Sequence, residues 1–137
     1  MNTVETKYKK ILHILDRWLT LKECGMSVGN YLKGKNNTKV AIYGLGVIGK
    51  HLLYELQQDG INVVYGIDKN SAKLDLNVFF MEWKNKSIFP EVDLLIVTAV
   101  NDYPVIEKEL LEVRKYPIIS FEDIINEMEY QRRNRSE

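Results

Sequence analysis

The segment Gly44-Leu45-Gly46-Val47-Ile48-Gly49 constrains this chain more than any other feature. It follows a short apolar run, Lys39-Val-Ala-Ile-Tyr43, whose length and β-branched content predict a strand. It also opens a stretch from Val47 to Asp59 in which Ile48, Leu52, Leu53 and Leu56 recur at helical steps before Gly60. A strand, a glycine-rich turn and a helix form a unit that buries itself only against further strands. Each glycine has a physical task in such a turn. Gly44 permits the tight reversal, Gly46 lets a backbone approach a ligand without a Cβ in the way, and Gly49 lets the helix pack closely on the sheet.

The pattern continues as alternating strands and helices. Asn62 to Ile67 predicts a second strand closed by Asp68, and Asn77-Val-Phe-Phe80 a marginal third. Asp93 to Ala99 is apolar on both faces, as a central strand between helix layers is. A helix with Pro104 in its first turn follows to about Lys115, then a short strand Pro117-Ile-Ile119 and a helix from Ser120 through Met128. The expected fold is therefore α/β and Rossmann-like, in three layers, with a parallel sheet of about five strands. Residues 3–23 precede it as an amphipathic helix with Val4, Tyr8, Ile11, Leu12, Leu15, Trp18 and Leu19 on one face. Ser27 caps a short second helix through Leu32. The chain divides into a helical arm over 1–37, a nucleotide-binding domain over 38–128 and a flexible tail over 129–137. The apolar face of the arm packs on the chain's own sheet or marks a face for a partner, and the sequence leaves both open.

The glycine segment predicts a ligand with phosphate. Backbone N–H groups at a helix start and the helix dipole both stabilise an anion. The acidic residue expected about twenty residues on is present, since Asp68 lies nineteen residues after Gly49. At the end of the second strand it would accept from ribose hydroxyls and repel a 2′-phosphate, which favours NAD over NADP. Lys69 beside it pulls the other way. The expected contacts are Gly44, Leu45, Gly46, Val47, Ile48, Gly49, Asp68, Lys69 and, at the carboxyl end of the central strand, Thr98 and Ala99.

No catalytic set stands out. Tyr103 has Glu107 four residues on where a Tyr-x-x-x-Lys dyad needs lysine, and Lys108 comes one step late. His51 reads as a surface residue and His13 as a structural one, neither with a metal-ligand partner at useful spacing. Asn101 and Asp102 read as helix caps. Cys24, the single cysteine, excludes an internal disulfide and a cysteine metal cluster and fits a reducing, cytoplasmic setting. Nineteen basic residues balance nineteen acidic ones, which removes the usual argument for nucleic acid. Neither a signal peptide nor an apolar run of membrane length is evident. Little chain remains beyond the sheet and its helices to enclose a substrate, so any catalysis would borrow residues from another subunit.

Lys39 to Lys50, Ile67-Asp-Lys-Asn70, Asp93 to Thr98 and Ile118 to Ile125 together resemble the small Rossmann domains of bacterial surface-glycan biosynthesis, which occur alone or fused to enzymes acting on nucleotide sugars. The resemblance covers about residues 38–126 and implies a module binding NAD(P) or a nucleotide sugar, working as a homodimer or as a subunit of a larger assembly. A second, less extensive resemblance is to the regulatory NAD-sensing domains of potassium uptake systems. A minimal NAD-dependent oxidoreductase or epimerase, completed by oligomerisation, is the enzymatic alternative. An empty fold serving interaction alone is the other.

Overall fold

The computed structural model describes residues 3–68, 75–113 and 117–135. Helix α1 (Thr3–Glu23) and helix α2 (Val28–Gly34) precede strand β1 (Lys39–Tyr43), helix α3 (Val47–Gln58) and strand β2 (Asn62–Ile67). A 3-10 segment (Trp83–Ile88), strand β3 (Leu94–Val97), a 3-10 turn (Val100–Asp102), helix α4 (Tyr103–Leu111), strand β4 (Ile118–Ser120) and helix α5 (Phe121–Arg135) complete the order. The protein is an α/β fold, and its sheet has four strands, all parallel, in the order β2-β1-β3-β4.

Four strands, not five, correct the expectation. The segment around Phe80 joins the edge of β2 through a single parallel bridge to Gly66, with Gly66 N–H donating to Phe79 and Met81 N–H to Gly66. The physical reason lies in the backbone just before the bridge: Val78 N–H turns back to the Leu76 carbonyl at 2.9 Å and the Asn77 carbonyl accepts from Gln57 at 2.8 Å, so these groups do not extend a ladder along β2. The other strands lie close to where periodicity places them, and β3 is trimmed at both ends by Asp93 and Thr98. The carboxylate of Asp93 turns back to accept from the N–H groups of Thr38 and Lys39, both at 3.0 Å.

Alternation along β1 separates two cores. Val40 and Ile42 face a cluster with α3, α5, α1 and α2, while Ala41 and Tyr43 face one with α4 and the 3-10 segment. The N-terminal helix belongs to the first. Ile14, Trp18 and Leu21 are buried, Trp18 packs edge-on against Phe121 at 4.8 Å between ring centroids, and Arg17 bonds Glu129 at 2.6 Å and also Asn126. Glu55 on α3 ties the same elements together. Its Oε2 accepts from Val28 N–H at 2.9 Å and lies 3.4 Å from Trp18 Nε1, and its Oε1 pairs with Lys22 at 2.8 Å. One face of α1 therefore packs on the chain itself, leaving Val4, Tyr8, Leu12 and Leu19 exposed. Helix α5 continues past Met128 to Arg135. Among the described residues no helix is long and apolar enough to cross a membrane.

Candidate functional site

In the order β2-β1-β3-β4 the chain crosses from one side of β1 to the other, so β1 and β3 are neighbours whose following segments diverge. A crevice opens at the carboxyl edge of a parallel sheet at such a point. Here it is a cleft of about 390 Å³, lined by Gly44, Gly46, Val47, Ile48, Gly49, Asp68, Thr98, Ala99, Val100, Asn101 and Asp102 and, from α1, Lys7, Tyr8 and Ile11.

The three glycines differ in what holds them. Gly44 has φ +95°, and a Cβ there would lie 2.5 Å from Thr98 Oγ1. A Cβ on Gly49 would stand 1.9 Å from the carbonyl oxygen of Gly44, so the close approach it permits is to the loop backbone itself. Gly46 is unlike both. Its φ is −77° with ψ −145°, and a Cβ there would meet nothing within 4 Å. Close contacts account for glycine at 44 and 49, and no such contact accounts for it at 46.

Gly46 is also the N-cap of α3 and offers the first turn no side-chain hydrogen bond. Two other helices are capped by serine: Ser27 accepts from Asn30 N–H at 3.2 Å and Ser120 from Asp123 N–H at 3.1 Å. Among the described residues no side chain caps the start of α3, as none caps α4, and N–H groups at a helix start suit an incoming anion. A phosphate-bearing group fits these residues.

The loop is braced from both flanks. Asp68 Oδ2 accepts from Leu45 N–H at 2.7 Å, and Thr98 Oγ1 donates to the carbonyl of Gly44 at 2.6 Å. Asp68 and Thr98 therefore shape the loop as well as line the cleft. Leu45 does not line it: its side chain is buried in the core, where a Cβ on Gly66 would come within 2.8 Å of it. Lys69 lies outside the described residues.

Several residues reached the cleft unannounced by local pattern. Asp102 occupies the N-cap position of α4 but makes no capping hydrogen bond; it and Asn101 line the cleft instead, correcting the capping expectation. Lys7, Tyr8 and Ile11 arrive from a helix more than thirty residues before the loop, by roughly the length of α1 and α2, and no spacing rule connects them. Tyr103 turns away: its hydroxyl donates to Glu107 at 2.7 Å and lies 3.3 Å from the Ile118 carbonyl. Burial, then the bond to Glu107, holds its phenol well above the ordinary range, so it is no proton acceptor near neutrality. Burial, then the carboxylates of Asp102, Glu109 and Asp68, pushes Tyr43 up as well. Among the described residues no group of three metal-ligating side chains assembles.

No protein-family model, curated protein or solved structure matches this chain.

Proposed function

We propose that this chain is a nucleotide-binding module of Rossmann type whose ligand is NAD(P) or a nucleotide sugar, held by its phosphates at the start of α3. The observation that carries the reading is Gly46: a cleft-lining glycine with open space where its Cβ would stand, ahead of a helix with no side-chain cap. Asp68 at the end of β2 favours a free ribose over a 2′-phosphate, hence NAD over NADP. The resemblance of residues 38–126 to domains of bacterial surface-glycan biosynthesis supports a role in that chemistry, in the cytoplasm where nucleotide sugars are made. The exposed row Val4, Tyr8, Leu12 and Leu19 on α1 supports a homodimer or docking into a larger assembly.

A thermal-shift screen against NAD, NADP, UDP-glucose and coenzyme A tests the reading. A true ligand at a hundred times its dissociation constant adds about 2.7 kcal/mol of stability. A native chain that responds to none of them defeats the proposal. An oxidoreductase or epimerase completed by a second subunit is the alternative reading, since among the lining residues no catalytic set is assembled within one chain. Turnover of a nucleotide sugar by the assembled oligomer, with NAD present, would establish it.

A further inference from the structure

Helix α1 carries five basic side chains besides His13: Lys7, Lys9, Lys10, Arg17 and Lys22. Four of them have acidic partners. Lys9 pairs with Glu5 at 3.3 Å, Lys10 with Glu122 at 3.7 Å, Arg17 with Glu129 at 2.6 Å and Lys22 with Glu55 at 2.8 Å. Lys7 has no ion-pair partner among the described residues. The reason is partly local: Thr3, Val4, Lys10 and Ile11 occupy the neighbouring turns, so its helix offers no carboxylate at the spacing that forms a pair. Lys7 is also the one cation of the five that lines the cleft, together with Gly46 and Val47, Ile48 and Gly49 of the first turn of α3.

The position of that wall is set by the body of the protein. Ile14, Trp18 and Leu21 anchor α1 in the core, and Arg17 and Lys22 tie it to α5 and α3. The helix therefore presents Lys7 from a packed scaffold, and only the flexible side chain itself needs to order when it meets an anion. Asp68 and Asp102 also line the cleft, so an anion is accepted only where donors outweigh them; Asp68 already spends Oδ2 on the N–H of Leu45. The cationic donor among the lining residues is Lys7, which joins the N–H groups at the start of α3 and the neutral donors of Tyr8 and Asn101.

We infer that Lys7 is the cationic arm of the site, its ammonium closing on the phosphates of a nucleoside diphosphate or dinucleotide whose other side rests on the first turn of α3. Helix α1 is then one wall of the binding site and not an appended arm. This rests on the phosphate reading of the glycine loop and adds the prediction that the ligand carries at least two phosphates, one for each wall.

Isothermal titration of the full chain with ADP, NAD and UDP-glucose, at low salt and again near half-molar salt, tests it. Lys7→Ala should keep the native melting temperature, because Lys7 is exposed and has no ion pair among the described residues, and should weaken binding of whichever probes the native chain takes by about tenfold at low salt. The loss should shrink at high salt, where the ammonium is screened. Lys7→Arg should retain most of the affinity, and Lys7→Glu should lose more than the alanine variant. Equal affinity in the native chain and Lys7→Ala overturns the inference while leaving the glycine-loop reading intact. A native chain that binds none of the three probes overturns both.

Discussion

Glycine is used in this loop for two different reasons, and substitution separates them. Gly49→Ala places a methyl group 1.9 Å from a backbone oxygen that cannot retreat without moving the β1–α3 turn. The helix-propensity gain of about 1 kcal/mol from glycine to alanine is smaller than the cost of that overlap. Chemical denaturation should show a net loss of about 2 kcal/mol or more. At Gly46→Val the new Cβ meets open space, so its cost should be no more than about 1 kcal/mol from a poorer N-cap. The first variant is measurably destabilised; the second folds and fails to bind. Asp68→Ala falls between the two. It strands the Leu45 N–H, costing about 1–3 kcal/mol, and loosens the loop that carries the donors.

Among the elements, the attachment of α1 decides most. Glu55 is a buried carboxylate accepting from Val28 and bridging to Lys22, so Glu55→Ala removes the link among α1, α2 and α3 and leaves a cavity. Urea unfolding should report a loss of about 3 kcal/mol. On the α5 side, the hydrogen bond from Arg17 holds the Glu129 carboxyl below its ordinary range. A carboxylate with a depressed folded-state pKa stabilises the fold above its unfolded value of about 4.3, and that contribution disappears as the pH falls through the lower folded value. Stability measured from pH 7 down to pH 2 should therefore fall more steeply for the native chain than for Glu129→Gln, the two curves converging at the acid end. Parallel acid limbs would mean that the pair contributes nothing.

Periodicity made most of these elements legible before any coordinates. α1, β1 and β2 begin and end where apolar spacing, glycine and aspartate place them, because each signal there is local. The strand around Phe80 was not legible in this way. Whether it pairs depends on how many of its residues β2 can accept, and the answer is one. The packing of Trp18 was likewise undecided, since an amphipathic helix looks the same whether its apolar face meets its own chain or another.

At the scale of the whole molecule, the sheet order brings to one edge residues from four separate stretches of chain: α1, the glycine loop, Asp68, and the run from Thr98 through the 3-10 turn after β3. The loop, Asp68 and Thr98 could be picked from the sequence because strand ends collect at the carboxyl edge of a parallel sheet. The α1 wall could not, since it depends on a helix crossing to that edge by tertiary packing alone. Tyr8 belongs both to the cleft lining and to the exposed apolar row Val4, Tyr8, Leu12 and Leu19 of α1. If that row is a docking face, Leu12→Glu should lower the sedimentation coefficient of the native assembly without changing the helical circular dichroism. An unchanged coefficient would rule this row out as the docking face.

The central claim is that Gly46 is glycine for a ligand and not for the fold. Its most direct test is calorimetric titration of NAD, ADP and UDP-glucose into the native chain and into Gly46→Val, with both melting temperatures measured beforehand. The account predicts two proteins of nearly equal stability, of which the native one binds a phosphate-bearing probe and the variant binds none. Equal affinity in the two, or a native chain indifferent to every probe, would contradict it.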